Sequence, residues 1–223
     1  MKNKIILTLL VAFYLFSGCA YDNFEAPSSF LSGKIVYNGQ AVSVRAQATQ
    51  LELWQDGYAL PGKIPVYISW DGSYSALLFD GEYQMVRLDG APWESQTDTI
   101  LISVKGNTIV DVPVKPYFVF RNVNFEKTGN TVVANFTIEQ VSESARLDRV
   151  RIFLGSTLIT DQNNMDASAI LLASAIKLGE PATIRVNIPD KLASKDFLYA
   201  RLGVLTAGVG ELYYTLPEKI QVN

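Results

Sequence analysis

Short runs of alternating apolar and polar residues recur along most of this chain, and that two-residue period predicts strands rather than helices. Leu51 and Leu53 alternate with Glu52 and Trp54, and Val66, Ile68 and Trp70 alternate with Tyr67 and Ser69. Further on, Val132, Ala134, Phe136 and Ile138 form one stripe, and Val150, Ile152 and Leu154 another, opposite Arg149, Arg151 and Phe153. Ile184, Val186 and Ile188 repeat the pattern, as do Leu198, Ala200, Leu202 and Val204, and a last strand is expected over 212–216. Asn38-Gly39, Asp56-Gly57, Asp71-Gly72, Asp80-Gly81 and Asp89-Gly90 stand between the early runs. Such dipeptides tolerate the positive φ of tight turns, so they mark frequent chain reversal. Two segments break the rule. The alanines and leucines of 166–178 suit a helix of about three turns, and Pro189-Asp190 suits the start of a short helical turn.

The pattern predicts an all-β protein of two β-sandwich domains. Residues 30–115 form the first, ended by Pro113 and Pro116. Residues 116–223 form the second, with the strand spacing of an immunoglobulin-like or fibronectin-like sandwich.

The N-terminus follows a different logic. Lys2 and Lys4 precede an apolar run from Ile5 to Phe16 that contains a single threonine, Thr8, and Ser17-Gly18 then leads into Cys19, the one cysteine of the chain. The run is too short to span a bilayer and reads as an export leader over residues 1–18. Leu15-Phe16-Ser17-Gly18-Cys19 resembles a bacterial lipobox, with Phe16 departing from the usual leucine of that box. The resemblance implies cleavage before Cys19 and acylation of the new terminus, each buried methylene adding roughly 0.8 kcal/mol of anchoring. The polar stretch 19–29, with Asp22, Glu25 and Pro27, is then a tether lifting the folded part off the membrane.

Composition narrows the chemistry. The 223-residue chain has a formal charge of −3, and without Lys2 and Lys4 it is more acidic still. No cluster of Lys and Arg is available to neutralise a phosphate backbone, which argues against nucleic acid. There is no histidine, so serine–histidine and cysteine–histidine mechanisms are excluded and the commonest metal ligand is missing. With Cys19 committed to lipid, no thiol remains for catalysis, zinc or a disulfide. A glycosidase would need two carboxylates roughly 5 to 9 Å apart, yet Asp56, Asp71, Asp80 and Asp89 are each followed by glycine, and turn formation accounts for them. No cofactor or metal site is expected, and no enzymatic activity.

Two stretches of the first domain carry a resemblance. Ser32-Gly33-Lys34-Ile35-Val36-Tyr37-Asn38-Gly39-Gln40-Ala41-Val42 looks like the opening strand and turn of carboxypeptidase-regulatory-like domains. The segments 71–76 and 80–85 look like the hairpin that follows in the same transthyretin-like superfamily, with Tyr83 placed as a corner tyrosine. With the lipobox and the second sandwich, the whole chain resembles a family of two-domain Bacteroidetes lipoproteins of unknown function, encoded beside starch-utilisation-type glycan-uptake systems. That resemblance implies an outer-membrane, cell-surface location, with oligosaccharide or polysaccharide and a glycan transporter as partners. The expected role is a non-catalytic accessory glycan-binding lipoprotein; the alternative is a structural lipoprotein that docks onto the transporter without binding sugar.

The residues expected to bind are aromatic. Alternation turns Trp54 outward, Tyr58 follows the Asp56-Gly57 turn, and Trp93 stands in the loop 91–94. Exposed flat rings with polar neighbours can stack on sugar faces. Trp70 falls on the Val66 and Ile68 stripe and is expected in the core. Arg149 and Arg151, on one face of their strand, could meet an acidic ligand or partner.

Overall fold

The computed structural model describes residues 25–57 and 62–222. Cys19, the leader and most of the tether, together with Tyr58, lie outside the described residues.

The described chain is nearly all strand and forms two sandwiches. In the first, β1 (Ser29–Tyr37) is central to one sheet. Phe30 pairs antiparallel with Leu77 of β5 (Ser73–Leu78) and, on its other side, parallel with Asn107 of β8 (Asn107–Ile109). Farther along, Val36 pairs with Ala41 of β2 (Gln40–Ala41) and with Pro113 of β9 (Val112–Pro113). The β1–β2 turn has Asn38 at φ 49° and Gly39 at φ 74°, the geometry the Asn-Gly pair favours. The facing sheet runs β4 (Ile64–Tyr67), β3 (Gln50–Trp54), β6 (Gly81–Arg87), β7 (Ile100–Val104), all antiparallel. Leu31, Ile35, Leu51, Leu53, Ile68, Tyr83 and Met85 fill the space between the two sheets. The Tyr83 hydroxyl donates to the Phe79 carbonyl at 3.0 Å, four residues upstream, in the manner of a corner tyrosine.

The second sandwich packs β10 (Phe118–Thr128), β11 (Thr131–Gln140) and β14 (Pro181–Asn187) against β13 (Ala167–Leu172), β12 (Leu147–Gly155) and β15 (Phe197–Thr206). Beyond β15 lie the short β16 (Tyr213–Tyr214) and β17 (Glu218–Gln221). Val132, Ala134, Phe136 and Ile138 face Val150, Ile152, Leu154, Leu198, Ala200 and Leu202 across the core, as their alternation demands. The expected helix over 166–178 is instead β13 followed by a single 3₁₀ turn, Ala173–Ala175. Pairing with β12, from Leu154↔Ala167 to Arg149↔Leu172, overrides the local propensity of those alanines and leucines. The short α1 (Asp190–Ala193) does follow Pro189.

The two sandwiches meet through Arg201 of β15, which is fully buried. Its Nε donates to Thr215 O (2.8 Å) and its Nη1 to Thr160 O (3.2 Å), both in the second sandwich. Its Nη2 crosses to the first, sharing its two hydrogens among Ser43 Oγ (2.7 Å), Val44 O (2.8 Å) and Trp70 O (2.9 Å). The guanidinium lies 4.3 Å from the ring centroid of Tyr214. The Tyr214 N–H donates to Ser43 O at 3.0 Å, Arg45 pairs with Glu211, and Tyr213 packs against both cores. Trp70, expected in the core, is half-buried here and lends its carbonyl to this junction.

Candidate functional site

Of the two expected aromatics among the described residues, Trp54 is the one the structure offers to solvent. Leu51 and Leu53 of β3 turn into the core with no exposure, so Gln50, Glu52 and Trp54 occupy the other face. Glu52 on that face is nevertheless buried, its carboxylate held by the Lys63 ammonium at 2.5 Å. Trp54, at the strand end, is half-buried.

Register places polar and apolar groups beside the ring. Trp54 pairs with Gln84 of β6, and Gln84 pairs in turn with Leu101 of β7, which is 78% exposed. Directly paired residues share a face, so indole, amide and leucine form one row across three strands, about 10 Å from end to end at the usual strand spacing. The Gln84 Nε2 donates to Asp56 Oδ2 at 2.8 Å, which fixes the amide relative to the turn after β3. A depression of about 380 Å³ opens beside the row, lined by Gln55, Asp56, Glu82, Tyr83, Gln84 and Leu101. An apolar plate beside carboxylate and amide groups can take the C–H face of a pyranose and bond its hydroxyls.

Trp93 corrects the sequence expectation. It is 3% exposed and belongs to the first core, with its backbone bridged to Pro116 where the chain enters the second sandwich. Glu94 N–H donates to Lys115 O (2.9 Å) and pins the loop there. A ring of that size gains more from the interior than from a loop surface, and the bridge pulls it in. Sequence reasoning missed Gln84 and Leu101. The missing signal was cross-strand register, which joins residues distant in sequence and is not written in any local run.

The carboxylates have structural partners. Burial works against ionisation of Asp71, but hydrogen bonds from the Ser73 hydroxyl (2.6 Å) and N–H (3.1 Å) win and hold it below its ordinary range. Asp80 accepts from the Ser29 hydroxyl and the Gly106 N–H, and Asp98 pairs with buried Arg87. Among the described residues no group of three or more acids and cysteines is placed to hold a metal ion. No described helix is long and apolar enough to cross a membrane.

Comparison with known proteins places this architecture. The profile of a protein of unknown function (DUF3823) N-terminal domain matches residues 29–115, and that of a domain of unknown function (DUF3823_C) matches 118–219. The chain therefore belongs to the DUF3823 family. A DUF3823 family protein from Bacteroides ovatus is 44% identical with a TM-score of 0.83, over 87% of this chain and 100% of that one. One from Parabacteroides merdae is 33% identical with a TM-score of 0.82, over 88% and 100%. A candidate carbohydrate binding protein from Bacteroides uniformis shares the fold at 20% identity, with a TM-score of 0.73 over 88% and 100%. No curated protein matches the chain.

Proposed function

We propose that this member of the DUF3823 family is a non-catalytic glycan-binding lipoprotein of the outer membrane, which captures oligosaccharide for the transporter of a polysaccharide-uptake system. The observation that carries the reading is the row of Trp54, Gln84 and Leu101 on an open sheet face, with Asp56 and Glu82 at its edge. A Bacteroides uniformis protein of the same fold, described as a candidate carbohydrate binding protein, supports the ligand class. The anchor rests on the lipobox around Cys19, and it sets the sandwiches a short tether away from the membrane surface.

A second reading has its own observation. Phe30, Leu77 and Phe79 are 42%, 59% and 45% exposed, and Phe30 pairs directly with Leu77 on the outer face of the β1 sheet. Neighbouring exposed apolar groups of this kind suit a protein partner, so a docking role on the transporter is the alternative.

Calorimetric titration of the full chain in detergent against neutral plant, host and microbial oligosaccharides tests the first reading. Saturable binding that Trp54→Ala weakens by about tenfold or more, some 1.4 kcal/mol, is expected. A silent panel, with co-purification of a transporter that Leu77→Ser abolishes, would replace it with the docking role.

A further inference from the structure

The second sandwich carries a polar recess far in sequence from Trp54, built by the loop 156–166 between β12 and β13. Its base is rigid. Gly155 ends β12, and a Cβ there would overlap the Thr160 side chain, so the loop folds back only because residue 155 is glycine. Thr160 has no exposure, and its hydroxyl donates to Thr157 O at 2.6 Å. Asp161, 1% exposed, accepts the backbone N–H groups of Asn163 (2.8 Å) and Asn164 (3.0 Å). From below, Arg201 holds the Thr160 carbonyl, and the Tyr214 hydroxyl accepts the Gln162 N–H at 3.4 Å. The returning arm is fixed at Asp166, whose N–H donates to Leu154 O (2.7 Å) and whose carboxylate takes the Ser156 N–H (3.1 Å) and the Lys191 ammonium. Between the arms lies a recess of about 320 Å³ lined by polar groups, with Thr157, Asn163, Asn164 and Met165 exposed at its mouth.

Arg151 stands at the edge of this recess. It shares a face of β12 with Arg149, Phe153 and Gly155, and its guanidinium carbon lies 4.7 Å from the Phe153 ring centroid, so the side chain leans along the strand toward the loop. Its Nη2 donates to Ser168 Oγ (3.2 Å) and reaches Met165 Sδ (3.8 Å). Arg149 is paired with Asp148 and Lys191 with Asp166, but among the described residues Arg151 has no ion pair. A cation without a carboxylate therefore touches Met165 of the recess lining, which also holds the side-chain amides of Asn163 and Asn164 and the Thr157 hydroxyl.

We propose that this recess is a second carbohydrate subsite and that it takes an acidic sugar, a uronic acid, whose carboxylate meets the Arg151 guanidinium while Asn163, Asn164 and Thr157 bond ring hydroxyls. A planar carboxylate matches the guanidinium fork. Asp166 in the recess wall opposes a more highly charged phosphate dianion. The choice of a sugar rests on the glycan-binding reading above; the recess itself is independent of the Trp54 row.

The test is calorimetric titration of the full chain with hexagalacturonate and with its methyl-esterified counterpart. The acid is expected to bind at least about tenfold more tightly than the ester, and Arg151→Gln to bring the two together. Arg151→Lys keeps the charge without the fork and should retain part of the difference. Trp54→Ala should leave the preference for acid over ester unchanged, which separates this subsite from the neutral-glycan reading. A folded Asn163→Ala variant should weaken both ligands together. Equal binding of acid and ester, unchanged binding by Arg151→Gln, or no heat with hexagalacturonate would overturn the proposal. So would binding of a sulfated oligosaccharide with hexagalacturonate silent.

Discussion

Arg201 is the residue on which most of the molecule's polar order converges. It buries a full charge and uses five hydrogen bonds to hydroxyl and carbonyl oxygens, with no bond to a carboxylate. Burial pushes its pKa down to about 10, so it remains cationic at neutral pH. The arrangement is costly to break from one side, because removing the donor leaves the Val44 and Thr160 carbonyls without it and the Trp70 and Thr215 carbonyls to share the single Ser43 hydroxyl. Arg201→Met is expected to destabilise by about 1–3 kcal/mol for each carbonyl left without a donor, read as a lowered urea midpoint. Arg201→Lys has too few donors for five acceptors and should recover only part of that loss.

At the scale of elements, close approach rather than propensity sets several strands. A Cβ on Gly33 of β1 would overlap the Val110 carbonyl, which also accepts the Tyr74 hydroxyl at 2.5 Å. Gly33→Ala should therefore cost roughly 1–3 kcal/mol in thermal or urea unfolding, whereas alanine at exposed Gly210 meets nothing. Where one face of a strand meets the core, the sequence alternation was a sufficient guide, as with Val132 to Ile138 on β11 and Leu198 to Val204 on β15. It was silent on the second face of β15, where Arg201, Gly203 and Leu205 are also buried. A strand covered on both sides loses the contrast that alternation reads. The polar β17, Glu218–Gln221, had no stripe to betray it and exists through its pairing with β15. The site was legible to the same extent: Trp54 by its place on β3, but not its neighbours Gln84 and Leu101, which only register brings alongside.

For the whole molecule, the junction couples two cores that would otherwise be separate. Backbone pairing of Ser43 with Tyr214, the Arg45–Glu211 ion pair and Tyr213 in contact with both cores join the halves by bonds as specific as those within them. The native chain is therefore expected to melt in one calorimetric transition with equal calorimetric and van't Hoff enthalpies, and Arg201→Met to split it into two. Two transitions in the native protein would show the junction to be weaker than its geometry implies.

The buried guanidinium also imposes an order of assembly. Its acceptors at Ser43, Val44 and Trp70 belong to the half of the chain made first, and Arg201 to a strand made near the end. The early sandwich can close and wait with its oxygens still hydrated. The late one covers Gly203 and Leu205 with its own Phe153, Leu212 and Tyr214 but cannot seat Arg201 until those acceptors are in place, so the first half serves the second as an intramolecular template, and refolding should be slowest at the step that seats this one side chain.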